Sequence, residues 1–185
     1  AGPDGIAVLL VRRTTLDLVL RRRVRAHDAV TWTDGSRVVG LTGVPVGRAG
    51  GPAVVTGVRL DDGRTLNADL VVDCTGRRGD VPGWLRALGA EVEEVEHRAE
   101  LLYLTRWYRL PAGGAVAMTP NLTGDLGHVR YLAVPGDAGT LSVTLAVPSS
   151  DDDLRRSLGR PEAFDRAAAQ LPGVEEVFAA HRLTP

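Results

Sequence analysis

The chain has 185 residues, 44% of them apolar, enough for one domain or two small ones with a real core. A formal net charge of -1 supplies no global pull toward nucleic acid or an anionic membrane. One cysteine, Cys74, excludes an internal disulfide framework and fits a reduced, cytoplasmic setting. No apolar run is long enough to span a bilayer, and residues 1–11 lack the pattern of a secretory signal. Arginine supplies all 22 basic side chains, and the 22 glycines and 11 prolines imply many turns.

In chain order, residues 13–25 read as a helix, with Leu16, Val19, Leu20 and Val24 forming an apolar stripe. Thr14 or Thr15 stands near its start, and Arg21, Arg22, Arg23 and Arg25 occupy its last turns, where positive charge suits the helix dipole. From Ala29 to Val72 the pattern changes to short β segments rich in valine. Asp34-Gly35 and Asp62-Gly63 are turn dipeptides suited to hairpins, and Gly47 to Pro52 reads as a loop. Residues 69–74 read as a buried strand. Residues 81–89 form a short helix opened by Pro82 and capped by Gly89.

The second half reads as strands at 99–110, 128–134 and 140–147, a mostly antiparallel sheet. Helices follow at 151–158, 161–171 and 173–181, the first opened by Asp151, Asp152 and Asp153. The fold class expected is therefore α+β: helix, β-meander and motif strand, then an antiparallel sheet with C-terminal helices. In the strand at 99–110, Tyr103, Thr105 and Trp107 point one way and Arg106 and Tyr108 the other. An arginine on a buried face needs an anionic partner, a carboxylate or a cofactor.

The segment with most chemical content is Ala68 to Gly79, ADLVVDCTGRRG. A β-branched run ends at Asp73 and a small-residue turn, Thr75-Gly76, follows. Glycine lets backbone approach a bulky ligand where a Cβ would clash, and strand ends beside glycine turns are where α/β folds place nucleotides. Other constellations fail: His27, His97, His128 and His181 lack ligand spacing, and no P-loop, nucleophile elbow or HExxH occurs. Asn121-Leu122-Thr123 matches a glycosylation sequon, without any other sign of secretion.

ADLVVDCTGRRG resembles the second sequence motif of FAD-dependent oxidoreductases of the two-dinucleotide-domain type, the flavoprotein monooxygenases among them. The resemblance extends to the meander at 37–60, to Pro82, Trp84, Leu85, Leu88 and Gly89, and to Tyr103, Thr105, Arg106 and Tyr108. Upstream it includes Arg13, Leu16 and Asp17, followed by Leu20 to Val24. It thus covers nearly the whole chain, in the family's order, but without GxGxxG or the later Gly-Asp motif. The resemblance implies an internal fragment, with residues 1–90 a partial FAD-binding domain, part of an FAD/NAD(P)-binding Rossmann-like fold, and 91–185 a substrate-binding domain.

By the same resemblance, Arg13 approaches the FAD phosphates or adenine, or is a surface arginine at a helix start. Asp73, Thr75 and Gly76 line the adenosine end, with Asp73 alternatively a cap of the turn. Arg77 holds this loop or the cofactor, Cys74 packs, and Tyr103, Arg106 and Tyr108 contribute to the substrate side. The implied activity is monooxygenation of a small organic molecule with FAD, O₂ and NAD(P)H. A reductase of carbon-carbon double bonds and a flavin-dependent halogenase are the alternatives, the last weakened by the lack of lysine. A second class of reading makes the isolated chain an inactive, self-associating module without bound flavin, burying its exposed surfaces.

Overall fold

The computed structural model describes residues 8–45, 47 and 52–183. Most of the 47–52 loop and of residues 1–11 therefore lies outside the described residues. The chain divides into two units, His27–His97 and a second formed by Ala1–Ala26 with Arg98–Pro185. The division differs from a boundary at 90/91, because the first helix groups with the second sheet.

In the unit 27–97, β1 (Val38–Val44), β2 (Val54–Leu60) and β3 (Thr65–Asn67) form an antiparallel meander in the order β1-β2-β3. The β2–β3 hairpin turns at Asp62-Gly63, where Gly63 takes φ +87°, a left-handed conformation that glycine adopts without a Cβ clash. Asp34-Gly35 forms a bend before β1 and no hairpin, because residues 29–33 form no strand. Helix α2 (Val81–Ala87) follows, with Pro82 in its first turn and Gly89 at φ +80° just beyond its end.

The buried strand expected at 69–74 is not formed. This segment pairs with no strand, and Leu70 and Val72 are 78% and 72% exposed. A strand buried on both faces needs parallel neighbours and covering layers. Among the described residues both sheets are antiparallel and neither includes this segment. It is an apolar strand-forming run without its partners.

In the other unit, α1 spans Arg13–Arg25, as the periodicity predicts, but its N-cap is Arg12 and its stripe of Leu16, Val19, Leu20 and Val24 stays exposed. The four-stranded antiparallel sheet has the order β4-β7-β6-β5, with β4 at Leu101–Arg109, β5 at Thr123–Asp125, β6 at Arg130–Gly136 and β7 at Thr140–Pro148. Helices α3 (Asp152–Leu158), α4 (Pro161–Ala168) and α5 (Val174–His181) complete the unit. Asp151 accepts a hydrogen bond from the Leu154 backbone N–H at 2.9 Å, capping α3 as its sequence predicts.

The core of this unit lies on one side of the sheet. Leu141, Val143, Leu145 and Val147 from the central β7 pack with Tyr131, Ala133, Phe164, Ala168, Val174 and Phe178. The opposite face carries Tyr103, Trp107, Leu132 and Thr144; α3, α4 and α5 pack on the other side, and the start of α1, at Arg12, comes up beside Trp107 and Gly136. One sheet face is filled by helices and the other is open.

Candidate functional site

The turn after residues 69–74 is built by its own side chains. Asp73 accepts from the Thr75 backbone N–H at 2.9 Å and from Thr75 Oγ1 at 2.7 Å. The Thr75 hydroxyl, then its backbone N–H, lowers the Asp73 pKa. Asp73 therefore acts as the cap of the turn. Gly76 takes φ +74°, a backbone state that costs a residue with a Cβ about 1–2 kcal/mol. Nothing lies within 4 Å of the position a Gly76 Cβ would occupy, so that side of the turn is open. A Cβ on Gly79, by contrast, would collide with Thr75 Oγ1.

Asp73, Cys74 and Thr75 line a cleft of about 440 Å³ with Leu41, Val58 and Trp84. Cys74 is exposed and free instead of packed. Gly76 and Arg77 stand outside the cleft lining, in a single exposed 3₁₀ turn. The cleft thus has an apolar floor from the meander and a polar lip from the motif.

In the other unit the β4 alternation sorts the remaining candidates. Tyr103 and Trp107 are 65% and 52% exposed on the open face. Tyr103 borders a cavity of about 460 Å³ with Thr123, Arg130, Leu132 and Thr144. Arg106 and Tyr108 point to the helix-covered face, where both meet Asp165 of α4. Tyr108 donates to Asp165 Oδ1 at 2.6 Å, and Arg106 Nη1 lies 3.2 Å from Oδ2. The anionic partner required by Arg106 is thus a carboxylate of the same chain. Burial, then the bond to Asp165, pushes the Tyr108 pKa far above its usual range. The Tyr108 ring also meets Phe178 edge-on, with centroids 4.9 Å apart.

Arg13 is 91% exposed and pairs loosely with Asp17 at 3.5 Å. The neighbouring Arg12, which sequence reasoning passed over, is the anchored one. Asp137, in the β6–β7 turn, accepts from Arg12 Nε at 2.7 Å, Arg12 Nη2 at 3.1 Å, the Arg12 backbone N–H at 3.0 Å and Thr15 Oγ1 at 2.7 Å. One carboxylate fastens the start of α1 to the sheet. These bonds, the Arg12 side chain's first, hold Asp137 well below the usual carboxylate range. Among the described residues no metal-ligating cluster occurs, and no helix is long and apolar enough to cross a membrane.

The geometry can be set beside known proteins. A family model described as tryptophan halogenase matches residues 20–101. No curated protein matches the chain. Among solved structures, the chain is similar to PqsL of Pseudomonas aeruginosa, described as a probable FAD-dependent monooxygenase. The TM-score is 0.58 at 17% identity, over 90% of this chain and 43% of that one. A PqsL structure in complex with 2-aminobenzoylacetate matches at TM-score 0.59, again at 17% identity, over 90% of this chain and 42% of that one. The chain carries the fold of a part of PqsL. This bears out the resemblance read from ADLVVDCTGRRG and its neighbours, and it bears out the mixed, antiparallel fold class. The chain spans less than half the length of the structures it matches.

Proposed function

We propose that this chain is a section of an FAD-dependent monooxygenase. Residues 1–90 contribute to its FAD-binding part and residues 91–185 form its substrate-binding part. The observation that carries the proposal is the exposed, glycine-hinged turn at Thr75-Gly76. It ends an apolar extended run without strand partners, in a chain with the fold of part of such an enzyme. Asp73, Thr75 and Gly76 fit a nucleotide through backbone contacts: the turn is self-capped and open on the glycine side. Arg77 is an exposed cation available to the cofactor or to its own loop. Arg13, exposed at the start of α1, is available to the FAD phosphates or adenine.

Bound FAD supplies the redox chemistry, with NAD(P)H as electron donor and O₂ as oxidant. The protein binds and orients a small organic substrate and excludes water from it. The open face of the second sheet, with Tyr103, suits that task. Tyr108 and Arg106 act behind it, fixing β4 through Asp165. The free thiol of Cys74 accords with a cytoplasmic protein.

The test is FAD content and NAD(P)H oxidation coupled to oxygen uptake in the longer protein that contains this chain. Bound flavin with oxygen-dependent turnover supports the monooxygenase. The match over residues 20–101 favours a second reading, a halogenase, which halide incorporation into product would reveal. The isolated chain, with Leu70, Val72 and Val95 exposed, is expected to self-associate without bound flavin. Sedimentation of colourless, monomeric chain would count against that self-association.

A further inference from the structure

The four-stranded sheet has two edges of different character. At one, β5 is three residues long. At the other, β4 runs for nine residues and pairs with β7 in unbroken register. In the unit 27–97 the edge strands are β3, three residues long, and β1, broken by two register shifts. Short strands, bulges, prolines and charges keep sheet edges from pairing with other chains. The stretch Leu101–Thr105, LLYLT, has none of these. Farther along β4 the start of α1 comes up beside Trp107 and Arg109, so the free part of the edge is Leu101–Thr105. The direction of its backbone groups follows from the ladder. The Ser149 N–H donates to the Glu100 carbonyl at 2.9 Å, and the Leu110 N–H donates to the Gly139 carbonyl at 2.8 Å. Residues of an antiparallel ladder alternate between bonding to the partner strand and facing away from it. Even-numbered residues of β4 therefore bond to β7, and the N–H and C=O groups of Leu101, Tyr103 and Thr105 face away along the edge. No strand among the described residues takes them up.

We infer that this edge pairs antiparallel with the same edge of a second copy of the chain, with Tyr103 opposite its own counterpart. In that register Leu101 stands opposite Thr105, and each such pair exchanges two backbone hydrogen bonds. The half-buried Leu102 and Leu104 stand opposite each other, and each contact occurs twice about the two-fold axis. Charge favours the same arrangement. Glu100 and Arg106 flank the uncharged stretch, and antiparallel pairing sets each opposite the other. Arg106, whose side chain is 35% exposed beside Asp165, keeps donors for a second carboxylate. A parallel, in-register pairing would instead set Glu100 beside Glu100, a destabilising like-charge pair. The inference goes beyond the monooxygenase reading and does not depend on flavin. It gives self-association a surface distinct from Leu70, Val72 and Val95.

An interface of this length belongs to the small, transient class, so the 185-residue chain is followed by sedimentation equilibrium up to about 200 µM. A monomer–dimer equilibrium is expected. Tyr103→Lys, at a side chain 65% exposed, places two ammonium groups opposite each other and is expected to weaken the dimer about tenfold or more. An equimolar mixture of Tyr103→Lys and Tyr103→Glu is expected to regain it. Leu70→Ser with Val72→Ser is expected to leave it unchanged. Circular dichroism of each variant confirms that the sheet is intact. Register is read by cross-linking in a Cys74→Ser background. Hydrogen-bonded antiparallel pairs hold their Cα atoms about 5.5 Å apart, within disulfide reach, so Tyr103→Cys is expected to form a covalent dimer on mild oxidation and Trp107→Cys is not. A chain that stays monomeric at about 200 µM, a dimer indifferent to Tyr103→Lys, a dimer lost with Leu70→Ser and Val72→Ser, or cross-linking at residue 107 in place of 103 would overturn the inference. Flavin content of the longer protein tests the monooxygenase reading separately, and none of these outcomes bears on it.

Discussion

Replacing Asp165 tests the polar knot that fixes β4 against α4. Asp165 is 7% exposed, takes the Tyr108 hydroxyl at 2.6 Å and faces the Arg106 guanidinium at 3.2 Å. Asp165→Ala removes a hydrogen bond to a charged acceptor, worth about 1.5–3 kcal/mol. It also leaves Arg106 without its anion. Breaking a fully buried pair costs about 3–5 kcal/mol; the Arg106 side chain is 35% exposed, so solvent recovers part of that, although Nη1, the nitrogen facing Asp165, is itself buried. The combined loss is about 2–4 kcal/mol, or roughly 5–15 °C in unfolding midpoint at this chain length. Asp165→Asn keeps an acceptor for Tyr108 and is expected to lose about 1–2 kcal/mol. Replacing both charged partners, as Arg106→Met with Asp165→Leu, is expected to be milder than Asp165→Ala, because no orphaned charge remains. Urea unfolding followed by circular dichroism reads all of these. If Asp165→Ala and Asp165→Asn both stay within about 0.5 kcal/mol of the parent chain, the ordinary scatter of surface substitutions, the knot contributes nothing and the reasoning fails.

Three further expectations come from the same physical terms. The Tyr108 pKa is raised in the folded chain, so its contribution is full below about pH 10, the ordinary tyrosine value, and is lost as pH rises beyond it. Tyr108→Phe should flatten that alkaline fall in a pH series of unfolding midpoints. Asp137 has the opposite sign: its pKa is depressed, so its contribution is present above about pH 4 and lost as pH falls below that. Asp137→Asn should reduce the acid dependence and loosen α1, read as faster amide exchange at Thr15 and Leu16. Phe164→Ala empties a site 1% exposed in the core and should cost about 3–5 kcal/mol in the same unfolding assay.

The sequence made some of these features legible and hid others. The bounds of α1, the Asp62-Gly63 hairpin and the alternation along β4 are local, and local periodicity reports them well. The need of Arg106 for an anion was legible from burial parity alone, but Asp165 lies 59 positions later inside a helix with no distinguishing pattern. The Arg12–Asp137 clamp joins residues 125 apart, and nothing in either neighbourhood announces it. The run at 69–74 failed in the other direction. Its β-branched residues state a strand preference correctly, but a preference becomes a strand only when neighbouring strands accept its backbone groups. The turn after it, by contrast, depends on Asp73, Thr75 and Gly76 alone, so it forms as the sequence suggests.

The central claim, that the Thr75-Gly76 turn faces a dinucleotide, is tested most directly by flavin retention in the longer protein carrying Gly76→Val. A Cβ with two branches at φ +74° strains the turn and fills its open side. The account predicts stoichiometric FAD in the unaltered protein and loss of most of it in the variant, with the fold retained by circular dichroism. A variant that stays yellow and binds FAD as tightly as before would contradict it.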